Sequence, residues 1–188
     1  MQNKEWINKE EESDYAKYIS IPFNAVRQVS LLTEEVKKLT QTHKIDCPIF
    51  IASSDNDETI STPKALEFFS HYKNHKSKFI LYSTKQNHDT DNRIIVRKAN
   101  YPELQIKEFS HICMPFSPKN FHYGQYGDYP FASHSDNQAF IYGAYDPIKI
   151  EIYHALYKRK LIKKRLRTLT YNPDFDFMMN EMIQFILS

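Results

Sequence analysis

Asp55, Asp57 and Glu58 stand close together in one polar stretch, and His111 lies further along the chain. A carboxylate hydrogen-bonded to one imidazole nitrogen holds the ring in a single tautomer. It also stabilises the imidazolium formed when the other nitrogen takes a proton. An acid and a histidine brought together are therefore equipped for general acid–base chemistry. The bland alternative is a solvated loop whose Asp side chains close turns. The two readings separate only if the intervening chain delivers the acid and the histidine to one place.

The elements needed for that are legible. Val26, Val29, Leu32, Val36 and Leu39 recur at three- and four-residue spacings, which predicts a helix over 24–43. Residues 47–52 form a short apolar run suited to a strand buried on both faces. The acidic loop comes next. Thr62 and Pro63 then mark a helix start, with Ala65, Leu66 and Phe69 inward. Residues 78–83 read as the next strand, so strand, helix and strand make a parallel crossover unit. The apolar patch 94–96 has no clear place. Residues 105–109 alternate and predict a third strand that ends at His111. Catalytic loops of open parallel sheets gather at the carboxyl ends of the strands, where Asp55, Asp57 and His111 would then lie. Beyond them, 112–148 reads as a structured loop, 149–162 as a helix and 165–171 as extended chain. The last stretch reads as a helix from Asp174 to Leu187, capped by Asp174, with Phe177, Met178, Met182, Phe185 and Ile186 buried.

Residues 47–69 resemble a strand, acid loop and helix of the α/β-hydrolases, nearest the carboxylesterase, lysophospholipase and monoacylglycerol-lipase type. In that family the stretch corresponds to the sixth strand, its acid loop and the next helix. Asp57, followed by Glu58, Thr59 and Ile60, fits the acid position best, with Asp55 the second choice. Residues 79–83 resemble the seventh strand, 106–111 the eighth strand with its terminal histidine, and 174–187 the last helix. The resemblance spans about half the chain, in the family's order. It implies a partial α/β-hydrolase fold, an α/β class with about three parallel strands flanked by helices, and carboxylic-ester hydrolysis through an acyl-enzyme. His111 would be base and then acid, and Asp57 would orient it.

The pattern also departs from that family. Its serine sits in a Gly-x-Ser-x-Gly elbow upstream of the acid, whereas the only glycines are Gly124, Gly127 and Gly143. Ser13, Ser20, Ser30, Ser53 and Ser54 precede the candidate acid without such a setting. Serine and oxyanion hole would then come from sequence outside these residues. The competing class is a non-catalytic remnant acting, if at all, as an interaction module.

Other constellations are weaker. His111, His122 and His134, with Asp128 or Asp136, share no spacing that would converge on a metal, so no metal or cofactor is expected. The aromatic loop 121–129 either walls an apolar pocket beside His111 or forms a satellite core. The block Lys158–Arg167 reads as a solvated helix face or, more sharply, as a surface for anionic lipid headgroups. A net charge of +2 over 188 residues gives no case for nucleic acid. Cys47 and Cys113 match no redox or metal spacing. No run of about 18 apolar residues spans a membrane, and the polar start lacks a signal-peptide core, so the expected compartment is cytoplasmic. Residues 1–188 are read as a single domain, with 1–22 loosely ordered or a cap remnant and 112–172 an insertion before the last helix. Strand 47–52 would lack its usual neighbour, and an open edge invites self-association.

Overall fold

The computed structural model describes residues 5–9, 20–42, 46–57, 59–85, 91–129, 140–144 and 147–188. The chain divides into two compact units, Met1–Asp46 and Cys47–Ser188. In the first, β1 (Trp6–Asn8) pairs antiparallel with β2 (Ile21–Pro22), and α1 runs Phe23–Thr42 as the spacing predicts. The apolar stripe of α1 stays open, with Val29 and Leu32 more than half exposed.

The second unit holds the candidate site. Its sheet has β3 (Phe50–Ser54), β4 (Lys78–Ser83) and β5 (Ile94–Lys98) in that order, all parallel. The helix α2 (Thr62–His71) connects β3 to β4. Alternation along the strands divides the side chains between two layers. On one face Phe79 and Leu81 of β4 join Ile51, Ile94 and Val96 beneath Phe69, Ala65 and Leu66 of α2. On the other, Ile80 and Tyr82 join Phe109, Cys113, Met114, Tyr142, Leu169, Tyr171 and Met178. The helix α4 (Phe175–Leu187) packs on this second face. This is a mixed α/β architecture with a three-stranded parallel sheet flanked by helices.

The third strand differs from expectation. It is β5, the patch around 94–96, and not 105–109. Gln105 has φ 59°, a left-handed value that interrupts an extended run. It ends a short 3-10 turn over Pro102–Leu104. Ile106 makes single bridges to Tyr101 and Tyr142, after which Glu108, Phe109 and Ser110 are all buried in succession. An alternating sequence is thus carried by a segment wrapped in protein rather than by a two-faced strand.

Two further strands, β6 (Phe140–Gly143) and β7 (Arg165–Thr168), pair in parallel around α3 (Pro147–Lys158), which ends before the expected residue 162. Two helix caps also differ. The helix α2 begins at Thr62, with Ser61 at the cap position and no side-chain cap bond. The Thr62 hydroxyl turns instead to the Ser54 carbonyl and the Ser53 hydroxyl, both at 2.6 Å, and ties the helix start to the end of β3. Asp174 occupies the cap position of α4, but its carboxylate is drawn away by a two-pronged pair with Arg97 of β5, at 2.8 and 2.7 Å. On α4, Met178 is buried and Phe177, Met182 and Phe185 are half-buried, whereas Ile186 is exposed. No described helix is long and apolar enough to cross a membrane.

Candidate functional site

Strand β3 delivers the acidic loop. Asp55 and Asp57, two residues apart, take different tasks. The Asp55 amide donates to the Tyr82 carbonyl, and its carboxylate accepts from the Ser83 hydroxyl at 2.6 Å, joining the ends of β3 and β4. Asp57 turns the other way. Its Oδ1 accepts from the Thr59 and Ile60 amides at 2.7 and 2.8 Å, which locks the loop onto the carboxylate. Its Oδ2 lies 2.9 Å from Nδ1 of His111. The acid that meets the histidine is therefore Asp57.

His111 reaches that position without a strand. It opens a 3-10 turn, His111–Cys113, started by Ser110, whose hydroxyl accepts from the Cys113 amide. The same hydroxyl donates to the Leu169 carbonyl at 2.6 Å, and Ser110 is fully buried. Phe109 anchors the approach from the other side, with its ring 4.7 Å from Tyr82 and 5.9 Å from Tyr101, centre to centre. A buried aromatic residue and a buried hydroxyl thus fix the backbone on which His111 stands.

The pair is asymmetric in a chemically useful way. The Asp57 side chain is 2% exposed and that of His111 is 32% exposed. An ionised carboxylate only accepts hydrogen bonds, so Nδ1 carries the hydrogen and Nε2 of the neutral ring keeps its lone pair. Both residues line a cavity of about 110 Å³ with Ala52, Ser53, Ser54, Ile60 and Met114. Among the described residues, His111 has no hydrogen-bond partner other than Asp57. The chain matches no protein-family model, no curated protein and no solved structure.

The nearby hydroxyls and thiol have partners other than His111. The Ser53 hydroxyl is paired with Thr62, and that of Ser54 accepts from the Asn56 amide. The Cys113 thiol is fully buried and donates to the Ser110 carbonyl. Burial, helped by the charge of Asp57, pushes it up to about 12, far from the thiolate that nucleophilic attack requires.

A second acid–histidine pair was not visible in the sequence as a pair. His122 Nδ1 lies 2.5 Å from Asp128 Oδ1, and here the histidine is buried while the acid is 69% exposed. It belongs to the loop 117–129. In that loop the Asn120 side chain accepts from the His122 and Tyr123 amides, and the Tyr123 ring lies tilted against those of Phe116 and Tyr129. Gly124 and Gly127 serve this winding. A Cβ on Gly127 would fall 2.0 Å from the His122 carbonyl oxygen. The loop is an aromatic satellite core and contributes nothing to the lining of the His111 cavity. Among the described residues no group of three or more His, Cys, Asp or Glu could hold a metal. His134 and Asp136 of the candidate metal set lie outside the described residues, as does Glu58.

Proposed function

We propose that these residues form the acid–histidine part of a serine hydrolase acting on carboxylic esters, with Asp57 orienting His111. The observation that carries this reading is the 2.9 Å contact between a buried carboxylate and a part-exposed histidine, both of which line one cavity. Asp57 holds the Nδ1–H tautomer, and Nε2 removes a proton from the attacking hydroxyl. The proton is then passed to the leaving alcohol, which completes acyl-enzyme formation, and water repeats the cycle. Among the described residues neither Ser53 nor Ser54 is bonded to His111, so on this reading the attacking hydroxyl and the oxyanion donors would be supplied from elsewhere.

The reading predicts slow hydrolysis of an activated p-nitrophenyl ester by His111 alone, abolished by His111→Ala and lowered about tenfold by Asp57→Asn. A rate equal to that of free imidazole, or one unchanged in His111→Ala, overturns it. A fluorophosphonate probe reports the serine separately. Labelling that maps to Ser54 would overturn the assignment of the nucleophile to outside sequence.

The open edge of β3 favours a second reading. Among the described residues β3 pairs on one side only, and such an edge can add a strand from another polypeptide. Concentration-dependent association without ester turnover would support this interaction role over hydrolysis.

A further inference from the structure

The basic block 158–167 separates into two sets of cations. Arg165 is 4.4 Å from the centre of the Phe140 ring, and Arg167 is 3.4 Å from it. Lys164 donates to the Gln105 side chain. These three are spent on the fold. Lys158, Arg159, Lys160 and Lys163 are exposed, and none makes an ion pair among the described residues. They surround the turn between α3 and β7, where Lys160 takes φ 58° and brings the chain sharply round.

The same turn carries Leu161, 67% exposed. On α3, Ile148 and Ile152 are 70% and 51% exposed, and Ala155 and Arg159 continue their row at helical spacing. The row is not purely cationic: Glu151 and His154 share a shallow groove with Ile150, Ala155 and Lys158. Four uncommitted cations at one end of a row of isolated apolar side chains match a layer of anionic headgroups above acyl chains. A rigid protein partner would favour a contiguous apolar core with charge at its rim. Single-stranded nucleic-acid recognition would favour aromatic side chains for base stacking among the cations, and residues 159–163 include none.

We propose that α3 and the 159–163 turn form a docking surface for an anionic phospholipid bilayer, in which the four cations meet headgroups and Leu161 and Ile152 enter the interface. The proposal goes beyond the hydrolase reading and rests on this surface alone.

The test is co-sedimentation of the full chain with phosphatidylcholine vesicles, with and without phosphatidylglycerol. Binding is expected only with the anionic lipid, and it should weaken as salt shortens the screening length below ~8 Å. The triple variant Lys158→Gln, Arg159→Gln, Lys163→Gln should lower partitioning on the order of 100-fold. Leu161→Ser, which removes no charge and alters a largely exposed side chain, should lower it as well. Far-UV circular dichroism checks that both remain folded. Equal binding to neutral vesicles, or none to anionic ones, overturns the proposal. So does binding to an RNA oligonucleotide that ignores Leu161→Ser, with vesicles left unbound.

Discussion

Replacing Asp57 separates its role as a hydrogen-bond acceptor from its role as a charge. The carboxylate accepts from the Thr59 and Ile60 amides and from His111. Charge-assisted hydrogen bonds contribute about 1.5–3 kcal/mol each when dry. The two amides are on exposed residues, so water replaces much of what they lose. Asp57→Ala should therefore cost about 2–3 kcal/mol, most of it from the contact with His111 and the freed loop. Asp57→Asn keeps an oxygen for the amides and loses only the charge and the match to Nδ1–H, a cost of about 1 kcal/mol. Urea unfolding followed by far-UV circular dichroism measures both, with equal slopes confirming the same unfolding reaction. If Asp57→Ala is neutral, the carboxylate does not hold the loop. If Asn is as damaging as Ala, the acceptor geometry is irrelevant and the amides are not what Asp57 holds.

Two further predictions use groups away from the pair. Cys47 is exposed and Cys113 is buried with its thiol pushed up to about 12, so Ellman's reagent should titrate one thiol in the native chain and the second only after unfolding; rapid modification of both would contradict the burial. Asp91 is held below the usual carboxylate range by its hydrogen bonds to Arg93. A depressed folded value stabilises the fold above the unfolded carboxylate pKa of about 4, and that contribution is lost as pH falls through the lower folded value. Asp91→Asn should thus be less stable than the parent at pH 7 and converge with it in acid. A gap that persists in acid would contradict this.

Local chemistry explains which parts of the fold were readable. The apolar run ending near Ala52, the proline at the start of α2 and the run 78–83 each act through their own residues, and β3, α2 and β4 lie close to where those signals put them. The choice between 94–98 and 105–109 as third strand depended on burial from outside. Gln105 and Lys107 look like the polar side of a strand, yet Gln105 turns left-handed, and the neighbouring Glu108 is buried beside Gly143. The cap expected of Asp174 failed similarly, because Arg97, distant in sequence, offers a better partner than the helix amides. Asp57 and His111 are in contact although the strand expected to carry the histidine is absent. What brings His111 to Asp57 is the anchoring of Phe109 and Ser110, a feature of packing that no spacing announces. His122 and Asp128 were both in view, but their pairing required the winding around Asn120.

The chemistry proposed for the pair depends on Asp57 fixing His111 with its hydrogen on Nδ1 and its lone pair on Nε2. Long-range ¹H–¹⁵N correlation spectra of the imidazoles, taken above the titration range, read that tautomer directly. The expected result is a His111 signal with Nδ1 protonated and Nε2 unprotonated, and loss of that preference in Asp57→Asn. A His111 ring protonated on Nε2 in the parent chain, or one whose tautomer ignores Asp57→Asn, would contradict it.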